Sequence, residues 1–473
     1  MQKAHITLAV YSALTGAFIL FAVTVADVSP TSLLLTSIIL ALMIPMAFHT
    51  AKGSLDLFEP LVLANIALGI MFFLRPLAVL FTGKTIHLGY DVLPTFNEAL
   101  VVALVGIVFF QVGYFARWGA AWAQRLPTPS NFHPKRAVYA GWLFFILGAL
   151  LFGAFLASAG GIGRVLFYLL EGRQPSNNEL YLSSTGYLYS GISLWAATAL
   201  IFFVSATAGR RKGYIYPFLA ITIPLLGFYG AQGERAQMLP LVLAVPVFWY
   251  LWKNRRPKLV TLLVVSLIGF ALLGWMREIR TVSNREDMLT KFGSAIATPL
   301  SEASDILTGP DADMFDSLSN ALLVVPEHLS FQHGSIFTDI LIRIVPRPLW
   351  PEKPPESNDM LLRTLWPVHS SRSRAGPASS LIGSFYADSG IITVALGMFL
   401  VGAILATLWC WLQRFQSNVS AQMIYSMGLP FVVILMRGSI PDTLARMLYM
   451  FVPLVLVMLF LGLRGAIPRK AEG

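Results

Sequence analysis

Cysteine is almost absent: Cys410 stands alone in 473 residues. One thiol excludes an intramolecular disulfide and a thiolate metal cluster, and leaves Cys410 a packing residue. Charge is scarce as well. Charged residues make up 12% of the chain, against roughly 25% in ordinary soluble domains. There is no internal repeat, no Walker pattern and no GxGxxG, so any energy source lies in a substrate or a gradient. The longest run without Lys or Arg in a charged region, Phe292 to Ile342, instead holds seven acids.

What is present is apolar. Hydrophobic residues reach 56% and the mean hydropathy is +0.69. A span needs about 20 apolar residues, and twelve segments fit: 6–26, 31–49, 60–82, 97–116, 137–158, 187–208, 214–231, 236–252, 258–276, 381–408, 421–438 and 444–463. The expected fold is an all-α polytopic membrane protein with about twelve transmembrane helices and a long helical outer loop. Nine spans with short loops occupy 1–276, the long loop 277–380, and three more spans 381–473. Pro45, Pro76, Pro224, Pro240, Pro246, Pro430 and Pro453 fall inside spans, where neighbouring helices can satisfy the freed backbone groups. Lys3 and Thr24-Val25-Ala26 imitate a secretory signal. The apolar run between them exceeds the roughly 7–15 residues of a signal core, so we expect it to be retained as a span.

Lys and Arg in short loops set orientation. With the N-terminus inside, 17 lie on the inner side, including Lys52, Arg210, Arg211, Lys212, Lys253, Arg255, Arg256 and Arg414. Six (Lys84, Arg164, Arg173, Arg235, Arg437 and Arg446) lie in short outer loops. Both termini are therefore expected in the cytoplasm, and the loop 277–380 outside. The net charge of +10 is mostly this bias and calls for no nucleic acid.

Insertion bias does not explain the ten cations of the long loop. Arg277, Arg280, Arg285 and Lys291 stand at its start, and Arg343, Arg347, Lys353, Arg363, Arg372 and Arg374 near its end. An anionic ligand is the simplest reason. Within the loop, 286–308, 313–329 and 336–345 have helical periodicity. The last reads as a short interfacial helix with Asp339 and Arg343 as an i,i+4 surface pair. The medium loop 159–186 carries Tyr168, Asn177, Asn178 and Tyr181, read as interfacial anchors ahead of sugar contacts.

Arginines gather where short outer junctions meet the membrane: Arg235, Arg277 with Arg280, and Arg437 with Arg446 beyond. Each could snorkel to headgroups. Together they suit one anionic site, because guanidinium binds phosphate bidentately. Asp311, Asp313 and Asp316 could be metal ligands but fit better as acids in the first turn of a helix. His328 and His333 are five apart, a poor spacing for joint ligation. His369 stands beside Ser370, Ser371, Arg372 and Arg374, cations that favour its neutral, basic form. A single charge, Arg75, lies clearly inside a span.

At Ile344-Val345-Pro346-Arg347-Pro348-Leu349-Trp350-Pro351-Glu352-Lys353-Pro354 the chain resembles the Wzy-type oligosaccharide repeat-unit polymerases, which include the O-antigen and enterobacterial common antigen polymerases. Their long outer loop often carries a similar Leu-Trp-Pro element. Ser379-Ser380-Leu381-Ile382-Gly383-Ser384-Phe385-Tyr386-Ala387-Asp388-Ser389-Gly390 is similar to the family's entry into the next span, Gly233-Glu234-Arg235-Ala236 to its short turn, and Arg437-Gly438 to its late Arg. The likeness runs from about 230 to 450; the first 200 residues share only hydropathy.

The resemblance implies a GT-C-like glycosyltransferase of the bacterial inner membrane; no cofactor and no metal ligand set is expected from the residues. It would pass a glycan from one undecaprenyl-pyrophosphate carrier to the non-reducing end of another. Donor, acceptor and membrane lipid are the implied partners, with a chain-length regulator and a flippase as further ones to look for. Arg235, Arg277, Arg280 and Arg437 would hold the pyrophosphate, with Arg347, Lys353, Arg372 and Arg374 as a second tier. No motif assigns the base that takes the acceptor proton; His369 comes first, then Glu234 or Asp388. An O-antigen ligase uses the same donor, and a lipid-linked oligosaccharide flippase or a peptidoglycan-type polymerase would share the carrier.

Overall fold

A computed structural model describes residues 29–165, 186–232, 235–258, 312–345, 357–365 and 378–463, with 261, 309, 350 and 352–354 besides. Almost all of this is helix. In chain order the helices are α1 (Pro30–Ala51), α2 (Pro60–Thr82, with a π turn at Ile70–Leu74), α3 (Phe96–Phe115), α4 (Arg117–Arg125) and α5 (Pro134–Ser158). Then come α6 (Leu194–Thr207), α7 (Ile215–Gln232), α8 (Arg235–Trp252), α9 (Met314–Val324), α10 (Ser335–Ile344) and α11 (Ser357–Leu365). The chain closes with α12 (Ser380–Ser389), α13 (Ile391–Arg414), α14 (Val419–Gly428), α15 (Phe431–Arg437) and α16 (Ile440–Leu463).

Nine helices among the described residues are long and apolar enough to cross a membrane, and Ala236–Trp252 within α8 is a shorter apolar helix. The expected spans 6–26 and 258–276 lie outside the described residues. The protein is a helical membrane protein. Its starts follow local chemistry: Ser29 and Ser32 exchange reciprocal hydrogen bonds as a capping box ahead of α1. Pro30, Pro60 and Pro134 occupy first-turn positions, where a missing N–H costs nothing. Asn418 accepts from Ser420 and Ala421 N–H to open α14.

Burial sorts the spans. In the span Leu188–Thr207, which ends in α6, 78% of the apolar window is buried, but only 22% in α1 and α5. So α6 is enclosed, and the other two are rim helices. Leu33, Ile44, Leu143, Leu150, Ile392 and Leu396 point outward and exposed, as side chains that meet hydrocarbon do. Centrally, α3 and α13 run closely packed along most of their length. Small residues permit this: a Cβ on Gly113 would sit 2.0 Å from the Phe399 carbonyl oxygen, and one on Gly402 2.2 Å from that of Phe110.

One expected span is corrected. The stretch 381–408 is not one helix: α12 ends at Ser389, Gly390 takes φ 75°, and the spanning helix α13 starts at Ile391. Seven of the first eight residues of α12 carry the polar and apolar groups of a helix buried against protein: Ser380, Leu381, Ile382, Gly383, Ser384, Phe385 and Ala387 are all buried. The expected helix 313–329 also stops early, at Val324. Val325 precedes Pro326 and is extended, the conformation that proline imposes on its predecessor. Asp339 is not a surface residue. In α10 it is buried, while Phe337 and Leu341 face outward.

Candidate functional site

Within 277–380 the described residues form α9, α10 and α11, and at one end of the bundle α9 packs against α3, α12 and the C-terminal half of α2. In α9, every residue from Met314 to Asn320 is buried. Met314, Phe315 and Leu318 join the main apolar core. Asp313, Asp316, Ser317 and Asn320 recur at i, i+3, i+4 and i+7, so they form a stripe on one face. Each is at most 2% exposed.

Two side chains from elsewhere meet this stripe. Arg75 donates from Nε to Asp316 Oδ2 at 2.8 Å, and its Nη2 binds the same oxygen. The position of Arg75 follows from the π turn before it: its N–H reaches back five residues to Ile70, and Pro76 behind it has no N–H to continue the ladder. His87 meets Asp313, with Nε2 3.1 Å from Oδ2. It is delivered by a two-stranded hairpin, β1 (Ile86–His87) and β2 (Tyr90–Asp91). The hairpin turns through Leu88 (φ 50°) and Gly89 (φ 92°), two positive-φ positions that match the twist of the strands.

Asn320 Nδ2 lies 3.3 Å from His87 Nδ1 and also 3.3 Å from the His87 carbonyl oxygen. One arrangement of the imidazole suits the contacts on both ring nitrogens: the tautomer that satisfies them has Nδ1 accepting and Nε2–H donating to Asp313. Ser319 and Thr95 then tie α9 down. Thr95 Oγ1 donates to the Ser319 carbonyl at 2.8 Å, and Ser319 Oγ to the Val92 carbonyl at 2.9 Å.

The stripe still has unused capacity. Asp313 Oδ1, Asp316 Oδ1, Ser317 Oγ and Asn320 Oδ1 are buried without a hydrogen-bond partner. Buried polar atoms are normally satisfied, so each unsatisfied one requires an explanation. Three of the four are acceptors only, and the fourth is a hydroxyl; hydroxyl groups of a ligand would complete them. Burial lifts the Asp316 carboxyl above its ordinary range, with the Arg75 guanidinium pulling the other way. With Arg75 neutralised by Asp316, the stripe carries no spare cation and is not itself a phosphate site.

The acids stand at a helix start as expected, with Asp316 in the first turn of α9, but the expected side-chain cap is not made; Asp311 lies outside the described residues. Asp313 is the N-cap of α9 but makes no side-chain cap bond, because its carboxylate is turned to His87. Among the described residues no three His, Cys, Asp or Glu side chains group to hold a metal ion.

The expected site residues are placed as follows. Asp388 is 1% exposed. Its carboxylate accepts from Gly334 N–H at 3.0 Å, Ile336 N–H at 3.3 Å and the Ser389 hydroxyl at 3.1 Å. That is the geometry of a cap supplied to α10 from another element. Arg437 ends α15, half-buried, and α15 packs on α12. Arg446 pairs with Asp442 one turn away, at 2.8 Å. Lys353 donates to the Val345 carbonyl at 3.0 Å. Arg235 begins α8. His369, Glu234, Arg277, Arg280, Arg347, Arg372 and Arg374 lie outside the described residues.

Sequence reasoning gave His87, Thr95, Ser319 and Asn320 no role. A signal existed in the i, i+3, i+4, i+7 spacing of polar residues within an otherwise apolar helix. No family model, curated protein or solved structure matches this chain.

Proposed function

We propose that this chain is a membrane glycosyltransferase that polymerises undecaprenyl-pyrophosphate-linked oligosaccharide repeat units on the periplasmic face of the bacterial inner membrane. In this reading about twelve spans place both termini in the cytoplasm and the loop 277–380 outside. The buried stripe of α9 carries the proposal: four unsatisfied oxygens beside a carboxylate-oriented imidazole, at the membrane end where the loop folds in. Such a site suits a hydroxyl-rich ligand.

The division of labour follows from charge. His87 presents Nδ1 as the base, across a long bond to Asn320 that an acceptor hydroxyl can replace. Asp313 on Nε2 holds the tautomer and stabilises the imidazolium that forms. The acceptor oxygen bonds to the anomeric carbon, the bond from that carbon to the pyrophosphate breaks, and pyrophosphate leaves with the electron pair. Its charge needs cations that the stripe lacks. Arg437 and Lys353 are candidates, with Arg235, Arg277, Arg280, Arg347, Arg372 and Arg374.

One observation favours a lipid-linked oligosaccharide flippase as the second reading. Arg75 lies within a span and pairs with a buried carboxylate, the kind of charge that lines transport paths. An O-antigen ligase shares the donor chemistry. Purified protein given a synthetic lipid-linked repeat unit, with no nucleotide sugar, should yield a ladder of lengthened products. Movement of label across a vesicle without lengthening would support the flippase. Transfer only to a lipid A core acceptor would support the ligase.

A further inference from the structure

At the other end of the bundle from the α9 stripe, Glu59 is buried with no part in the chemistry above. It precedes the span Pro60–Thr82 and is 1% exposed. Tyr114 of α3 donates its hydroxyl to Oε1 at 2.8 Å. His49 of α1 brings Nδ1 to 3.5 Å from Oε2, and that nitrogen is buried without a hydrogen-bond partner. Of the other charged groups nearby, Lys52 at the end of α1 is exposed to solvent over the Phe48 ring, not buried against the carboxyl. Asp56 is occupied by Arg256, Nε to Oδ1 at 2.7 Å, and the Tyr425 hydroxyl of α14 donates to the Phe58 carbonyl. Cys410 of α13 is half-buried.

We infer that Glu59 and His49 form a proton-binding site shared between α1, α2 and α3, in which one proton bridges the carboxyl and the imidazole. With the proton on Glu59, its hydroxyl can donate to the unpartnered His49 Nδ1. Without it, a carboxylate faces apolar core with Tyr114 as its single donor. Burial first, and Asp56 second, raise the Glu59 carboxyl from an ordinary value near 4.5 to about 7, with the Tyr114 hydrogen bond opposing them. His49 is 17% exposed at its side chain, which gives the proton a way in.

The sign follows from linkage. A carboxyl whose folded pKa is raised binds more protons folded than unfolded between about 4.5 and 7. Its stabilisation is complete below that window and is lost as pH rises through it. The inference does not depend on the proposed glycosyl transfer, and its test needs no substrate.

Full-length protein in detergent should lose thermal stability between pH 5.5 and 8.5, and Glu59→Gln should remove that component of the loss. A Glu59→Gln curve parallel to the wild type would overturn the inference. Infrared difference spectra between the same two pH values should show a protonated-carboxyl band at the lower pH that Glu59→Gln lacks. If Glu59→Gln does not fold, Tyr114→Phe gives the answer: removing the opposing donor should move the transition to higher pH, and an unmoved midpoint refutes the shared proton.

Discussion

Arg75 and Asp316 are each buried, and each is tolerable only because of the other. Breaking a buried ion pair from one side leaves an uncompensated charge and costs about 3–5 kcal/mol, whereas apolar replacement of both partners is often neutral. Arg75→Met should therefore destabilise strongly, and Arg75→Met with Asp316→Leu should recover most of the loss in denaturant unfolding. Two singles that add would place the residues out of contact. Asp388 is a residue of another kind. Its carboxylate serves three donors around the start of α10, so Asp388→Asn should cost about 1–3 kcal/mol and show as faster hydrogen exchange at Gly334 and Ile336. At this scale the sequence exposed chemistry but not pairing. Arg75 stood out as a charge within a span and Asp316 as one acid in a run. That they meet across 241 positions is a property of the folded chain.

Among elements, the contact of α3 with α13 makes the clearest demand. Gly113 and Gly402 leave no space for a methyl group, while a Cβ on Gly153 of α5 would meet nothing within 4 Å. Gly113→Ala and Gly402→Ala should each lower the melting temperature by several degrees, with Gly153→Ala close to wild type as the control. If all three behaved alike, close packing would not hold this pair together. Hydropathy identified the apolar helices because hydrocarbon demands length and apolarity of a spanning helix. It failed at α12 for the same reason. That helix adjoins the apolar run of α13 but is buried against protein, and a hydropathy window that spans both cannot tell those surroundings apart. The break is carried by Gly390 at φ 75°, directly after Asp388 and Ser389. In α9 the acids misled in the opposite way. Acidic residues at a helix start usually serve its dipole, but here His87 and Arg75 arrive from the preceding loop and span to claim them.

Across the molecule, the two ends of the helix bundle divide the polar groups. At one, the loop helices cover a stripe of buried acceptors held by Arg75 and His87. At the other, Glu59, Tyr114 and His49 enclose a carboxyl set apart from that chemistry. Pairing across long sequence separations builds the first of these, which is why composition and spacing revealed a helical membrane protein but not which residues of 312–345 enter the core. The central claim is that the α9 stripe works on hydroxyls through His87. General base catalysis is typically worth about 10²–10⁴-fold. In the reaction with a synthetic lipid-linked repeat unit, His87→Gln and Asp313→Asn should each lower the rate of product-ladder growth by at least about 100-fold, with the melting temperature near that of wild type. Ladder growth within twofold of wild type in both variants would contradict the account.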